Sequence, residues 1–332
     1  MENLTIRRAT TDDYEKVVSI NKEVYNGYDY IPFNYHEMLK APRNFPYVAE
    51  DNGRPIAFTI FTLLNDGKLC LAGAARTSKE AQGKGCISRT SKFARNELKK
   101  LNPNLNREVK LVVWSDYHEK AGKQHSESLK LFWHFLQYKT TKEDILKSNF
   151  MKEERKTVEL DTESTIKVLK NQKNQKLFET LPLLAYHWWT PIFVEDDIQL
   201  QEYATKNKVF ASVVTPNETS EVAEDNMKEN IGDYGEVSAL SSSMPAMTYN
   251  GFISSIFFHS VPSSYDLFFD HIRSHFMHLA SVVKDNEPAS VNLHFPLDID
   301  VKMVEDLLRA DFGDPKREVS KYYKVALFEE EF

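Results

Sequence analysis

The residues with the most chemistry in their spacing are Gln82-Gly83-Lys84-Gly85-Cys86. Two glycines two apart let the backbone turn tightly and bring several N–H groups to one point. The segment lies between a strand-like apolar run, Leu69 to Ala75, and a stretch of helical periodicity, Ile87 to Leu101. A helix starting behind the turn adds four unpaired N–H groups and the positive end of its dipole. Strand, glycine turn and helix in that order can cradle a pyrophosphate. The same residues serve equally as a turn that only joins a strand to a helix.

Two other groups can do chemistry. In Tyr28-Asp29-Tyr30, the carboxylate of Asp29 can pair with a cationic ligand and the rings can wall it in. The alternative is a turn after Gly27, with Asp29 as a local cap and the rings in the core. His271, His275 and His278 share one stripe of a predicted helix and are of a type that binds zinc. They flank the apolar stripe Phe268, Ile272, Phe276, Leu279 and Val283, where boundary residues belong. We therefore expect no metal.

Positioning such groups takes a folded scaffold, and the composition supplies one. The chain has 332 residues, 41% of them apolar, with 21 Phe and 15 Tyr. That is enough for two domains with their own cores. A net charge of −7 argues against a general nucleic-acid or anionic-membrane partner. Two cysteines, Cys70 and Cys86, make neither a disulfide framework nor a metal cluster. The start lacks an apolar signal core, and no run approaches the ~18 apolar residues of a membrane span. A soluble, cytoplasmic protein is expected.

Along the chain, strands are predicted at Leu4–Arg8, Tyr47–Glu50, Ile56–Leu64, Leu69–Ala75 and Val109–Ser115. Ser128–Gln137 reads as a helix and Met151–Leu160 as the strand that closes the first unit. Thr162–Lys176, rich in lysine, reads as a linker or a solvated helix face. The domains expected are 1–160, a linker over 161–180, and 181–332. In the second, a helix is predicted at Ile198–Lys206, then a strand at Val209–Val214 and an acidic loop at Pro216–Gly235. Next come a strand at Gly251–His259, a helix at Tyr265–Val283, a strand at Val291–Phe295, a helix at Val301–Arg309 and a strand at Ser320–Glu329. Antiparallel strands followed by crossover helices make the class a mixed α/β sheet flanked by helices. The order of the second half echoes the first. Its corresponding turn, Ser260-Val261-Pro262-Ser263-Ser264, has no glycine, and Pro262 removes an N–H.

Together these features resemble the Gcn5-related N-acetyltransferase superfamily. Its signature is Gln or Arg, two residues, Gly, one residue, then Gly or Ala, between a fourth strand and a third helix. Gln82 and Gly85 match, with Gly83 between them, while Ile87 departs from Gly or Ala. Val24-Tyr25-Asn26-Gly27-Tyr28-Asp29-Tyr30-Ile31-Pro32, with Trp188, Trp189 and Pro191, is similar to the vertebrate histidine N-acetyltransferase family. That family pairs an N-terminal catalytic domain with a degenerate second domain of related shape.

The resemblance implies acetyl-coenzyme A as donor and a small amine or amino acid as acceptor. It implies that the pyrophosphate sits on the amides of Gln82, Gly83, Lys84, Gly85 and Cys86, with the Ile87 helix behind. Ala75, Arg76 and Thr77 would pair with the pantetheine arm, an amide near Ala75 facing the oxyanion. Tyr28, Asp29 and Tyr30 would line the acceptor site. Two of the family's groups are missing: Leu71-Ala72-Gly73-Ala74-Ala75 carries no carboxylate, and Trp133 stands where a Tyr acid is usual. Indole has no proton to give near neutral pH. Tyr117, His118, Glu119 and Tyr138 are the nearby substitutes. The reading is therefore an N-acetyltransferase; the alternative is a catalytically impaired acyl-coenzyme A-binding or interaction protein on the same fold. A dinucleotide-binding oxidoreductase fits poorly, because the loop has too few glycines and follows antiparallel strands.

Overall fold

The sheet begins as a meander. β1 (Leu4–Arg8), β2 (Asn44–Asp51), β3 (Arg54–Leu64) and β4 (Leu69–Thr77) pair antiparallel in sequence order. Asn52 and Gly53 close the β2–β3 hairpin with φ of 51° and 76°, the left-handed pair that a two-residue turn demands. β5 (Arg107–Trp114) then runs parallel to β4, which requires a crossover, and α3 (Cys86–Leu101) provides it. On one face, α1 (Tyr14–Ser19) and α2 (Ile31–Lys40) bury Val17, Ile20, Ile31 and Tyr35 against Val48, Phe58 and Ile60. On the other, Ala94 and Leu98 of α3 pack on Tyr47, Phe61, Leu63 and Cys70. This computed structural model describes residues 4–21, 29–114, 129–153, 156–179, 184–185, 190–192, 194–213, 236–248, 250–260, 264–312 and 323–331.

The second half repeats the plan. β7 (Val158–Leu160), β10 (Lys208–Val213), β11 (Val237–Thr248) and β12 (Gly251–Ser260) pair antiparallel. β13 (Pro288–Phe295) follows parallel to β12, across the helix α7 (Tyr265–Val282). Helices α5 (Thr162–Lys170) and α6 (Asp197–Lys206) bury Val168, Leu169, Leu200 and Tyr203 over β7, β10 and β11. α7 lays Phe268, Ile272, Phe276 and Leu279 into the largest core, which α4 (Lys142–Lys147) and α8 (Val301–Phe312) complete. β8 (Leu184–Ala185) and β9 (Thr190–Pro191) form a separate two-stranded ribbon.

The halves exchange their last strands. β6 (Leu129–Thr141) follows β5 in the chain but pairs with β13, while β14 (Tyr323–Glu331) pairs with β5. β6 and β14 also pair with each other. One twelve-stranded sheet results, in the order β1-β2-β3-β4-β5-β14-β6-β13-β12-β11-β10-β7. No helix among the described residues is long and apolar enough to cross a membrane.

Several expectations are corrected. Ser128–Gln137 is not a helix, since its residues from Leu129 on belong to β6. The segment sits between β13 and β14, so its aromatic residues are covered by strands that come much later in the chain. Of Met151–Leu160 only Val158–Leu160 is a strand, and it pairs with β10 in the second half rather than closing the first. Of the two readings of Thr162–Lys176, the helix with a solvated lysine face holds: α5 buries Thr165, Val168 and Leu169 on its other side. β11 was not anticipated, because Ser241-Ser242-Ser243 and Pro245 read locally as turn residues.

Candidate functional site

β4 and β5 pair only at Leu69–Leu71 with Arg107–Val109, and then part. β5 keeps its other neighbour, β14, along its whole length. From Ala72 onward β4 therefore presents an edge without a ladder partner to an opening in the sheet. A bulge shapes that edge. Gly73 lies opposite Ile60 and Arg76 opposite Phe58, so Ala74 and Ala75 share the place of Thr59. Ala74 takes φ of 54°, which an L side chain tolerates only under constraint. Thr59 Oγ1 supplies part of it by donating to the Gly73 carbonyl at 3.0 Å. A bulge leaves backbone groups out of the ladder and re-aims them.

The glycine loop lies at the open end of β4. Gly83 and Gly85 take φ of 73° and 71°, and a Cβ on either would meet no atom within 4 Å. These glycines serve backbone shape rather than close packing, and they leave room above the amides. Gly85 is the N-cap of α3 and brings no side chain to cap the first turn. Of the five amides expected to form the cradle, those of Gln82 and Lys84 donate instead to the Ser78 and Ala81 carbonyls at 3.1 and 3.3 Å, which holds the loop's shape. Gln82, Lys84 and Gly85 are exposed, whereas Cys86 is buried. Ile87, the departure from the family pattern, packs beside Ala49, Ile56, Ala57 and Ala81. The extra side chain is thereby accommodated in the core.

Among the described residues the second half shows neither feature. β12 and β13 stay paired from Phe252–Ala289 to Phe257–His294, and β11 meets β12 without a bulge. At α7 the first turn is capped internally, since Ser264 Oγ accepts from the Leu267 amide. Among the described residues, only the first half has an opening beside an uncapped helix start.

Of Tyr28-Asp29-Tyr30, Tyr28 lies outside the described residues. Asp29 is not an open anion. Arg76 Nη1 and Nη2 donate to its two oxygens at 2.8 Å each, and the Ile31 amide donates to Oδ1 at 3.1 Å. Both side chains are buried, the Arg76 side chain completely. This bidentate pair ties the start of α2 to the end of β4. Tyr30 lies in the core beneath α1 and α2, yet it also lines a cavity.

That cavity, of about 200 Å³, lies between the halves. Gly73, Ala74 and Ile60 form part of one wall, while Gln199 and Tyr203 of α6 form part of the other. Residues four apart on a helix share a face, so α6 presents both together. Two ion pairs bridge the rim: Arg43 to Asp196, and Lys206 to Glu37 at 3.3 Å. Burial works against the Asp196 carboxylate, but hydrogen bonds from Arg43 and the Gln199 amide outweigh it and hold its pKa low. Gln199 Oε1 and Tyr203 Oη are buried with no hydrogen-bond partner among the described residues. Ser242 Oγ stands beside Tyr203 Oη but outside hydrogen-bond geometry. No local pattern points to these two residues, because they matter only through contact with the other half.

The remaining candidates lie elsewhere. Tyr138 is on β6 in the second-half core, beside Ile256 and Phe258, and not at the β4–β5 opening. Trp133, on the same strand, donates from Nε1 to His294 Nδ1 at 3.0 Å. Tyr117, His118 and Glu119 fall outside the described residues. The histidines of α7 are not all boundary residues: His271 and His275 are fully buried. Ser212 and Ser241 bond the two ring nitrogens of His271 at 3.1 and 2.6 Å. Ser243 and Ser241 bond those of His275 at 2.7 and 2.8 Å. Burial drives the His271 pKa down to about 3 and that of His275 well below the usual value. Among the described residues, no group of three or more His, Cys, Asp or Glu is placed to hold a metal ion.

No protein-family model matches the chain. It is 29% identical over 97 residues to probable N-acetyltransferase 16 of Homo sapiens, and 26% identical over 97 residues to a histidine N-acetyltransferase of Oreochromis niloticus. Each match covers 29% of this chain, and 26% and 29% of the relatives respectively, so the chain spans less than a third of either. The fold is similar over its whole length to a tandem GNAT protein from the clavulanic acid biosynthesis pathway. There the TM-score is 0.55 at 10% identity, covering 99% of this chain and 98% of that one. With a parted β4–β5 pair, a bulged β4, a glycine loop before α3 and a second half of the same plan, the chain shares the fold of that tandem GNAT protein.

Proposed function

We propose that the chain is an acetyl-coenzyme A-dependent N-acetyltransferase for a small amine, such as the α-amine of an amino acid. One observation carries the reading: the first half alone combines an opening beside a bulged β4 with an uncapped helix start. The second half adds a wall to the acceptor cavity. Histidine is a natural first acceptor to try, since a relative bears that name.

Acetyl-coenzyme A would supply an activated acyl carbon and a thiolate leaving group. The chain's part is mainly to hold and orient. Amides of Gly83, Gly85, Cys86 and Ile87 would receive the pyrophosphate, with the α3 dipole behind them and the Lys84 side chain as a point charge, since the Gln82 and Lys84 amides already donate to the Ser78 and Ala81 carbonyls. The free edge of Ala75, Arg76 and Thr77 pairs with the amide-bearing arm as a further strand would. The bulge at Ala74–Ala75 aims backbone N–H toward the developing oxyanion, a contact that strengthens as charge develops. The acceptor amine enters from the junction cavity, on the α2 face, and attacks the acyl carbon. As the C–N bond forms and the C–S bond breaks, the amine gives up a proton and the thiolate gains one. A positioned carboxylate is not required where the amine arrives neutral.

The test is incubation of the pure chain with labelled acetyl-coenzyme A and pools of amino acids and small amines. An acetylated amine is expected, and its formation should be lost in Gly83→Glu. Binding of acetyl-coenzyme A with no product from any pool would instead support an acyl-coenzyme A-binding protein.

A further inference from the structure

We propose that the second half selects the acceptor: Gln199 and Tyr203 hydrogen-bond its far end, which restricts the enzyme to small amines that carry an N–H or O–H group on a short apolar body. The inference rests on the acetyltransferase reading above and adds to it the class of acceptor.

The argument starts from desolvated polar atoms. Gln199 and Tyr203 are 6% and 1% exposed, yet the Gln199 amide oxygen has no partner among the described residues, and the Tyr203 hydroxyl has beside it only the Ser242 hydroxyl, which is itself unsatisfied and out of hydrogen-bond geometry. A buried polar group left unpaired is unfavourable, and native proteins seldom tolerate it without a reason. Both residues line the same cavity, which makes a bound molecule the natural partner. A glutamine oxygen can only accept, so it calls for a donor. A phenol hydroxyl both donates and accepts, and burial pushes the Tyr203 pKa up, keeping it protonated at neutral pH.

The rest of the cavity limits the body of the ligand. Met38, Ile60, Leu71 and Ile198 make it largely apolar. At about 200 Å³ it is smaller than the roughly 300–1,000 Å³ typical of sites for drug-sized ligands. Gly73 and Ala74, from the bulged strand, lie on the wall contributed by the other half. An acceptor that spans the cavity thus has its amine at the bulge and its other end at α6.

The inference is tested with matched acceptors that differ in a terminal donor: histidine against thienylalanine, tyrosine against phenylalanine, glutamine against methionine. Wild-type protein should favour the donor-bearing member of the pair it uses best by at least about tenfold in kcat/KM. Gln199→Leu and Tyr203→Phe should shrink that ratio to within about threefold while KM for acetyl-coenzyme A holds, because neither residue touches the glycine loop. Tyr203→Phe removes one oxygen and keeps the ring, so it tests the idea even if Gln199→Leu folds poorly. Equal use of both members by the wild type, or a ratio unmoved in folded variants, overturns the proposal. Failure to acetylate any acceptor overturns the acetyltransferase reading itself, and this inference with it.

Discussion

Arg76 and Asp29 illustrate how one contact can serve both stability and site geometry. A buried bidentate pair stabilises modestly against an apolar substitute, but breaking it strands a charge. Arg76→Met leaves the Asp29 carboxylate buried with only the Ile31 amide, and should cost about 3–5 kcal/mol in urea unfolding. Asp29→Asn combined with Arg76→Met should cost less than the sum of the two single changes, because neither charge is then stranded. At the loop, Gly83→Glu sets a carboxylate among the amides and forces a left-handed φ on a side-chain residue. Affinity for acetyl-coenzyme A should fall by more than about tenfold, roughly 1.4 kcal/mol, measured by calorimetry.

At the scale of elements, the sequence was most readable where local rules act alone. Asn52-Gly53 and Gly83-Lys84-Gly85 announced their turns because left-handed backbone selects such residues. The apolar stripe of α3 announced a helix, and the glycines before it announced the loop. The misreadings share one cause. β6 gets its character from β13 and β14, far away in the chain, and β11 from the helix α7 packed against its serines. The serines of β11 look like turn residues until His271 and His275 are set against them. The local cap made by Asp29 was legible from the turn after Gly27, but its ion pair was not, because Arg76 is 47 residues away. Gln199 and Tyr203 carried no local signal of any kind. The exchanged strands make a further prediction. β14 is paired on both edges, to β5 and to β6. Deleting residues 323–332 exposes two strand edges at the middle of the sheet. Size-exclusion chromatography of that variant should show aggregation or loss of the whole fold, not of the second half alone.

For the whole molecule, buried neutral histidines link stability to pH. His271 titrates near 3 in the folded chain, whereas an unfolded histidine titrates near 6.5. Below about pH 6.5 the unfolded chain binds protons that the folded chain refuses, so stability falls as the pH drops toward 3. The slope approaches about 1.4 kcal/mol per pH unit for each such histidine. Urea midpoints measured at pH 7 and pH 5 should show that fall, and replacing His271 with Gln should flatten it. The two halves share a plan but differ at one place, since the single sheet opens between β4 and β5 and stays laddered between β12 and β13. Calorimetric titration of the chain with acetyl-coenzyme A is the most direct check of that asymmetry. The account predicts one molecule bound per chain, lost in Gly83→Glu. Two equivalent sites, no binding, or binding that Gly83→Glu leaves intact would contradict it.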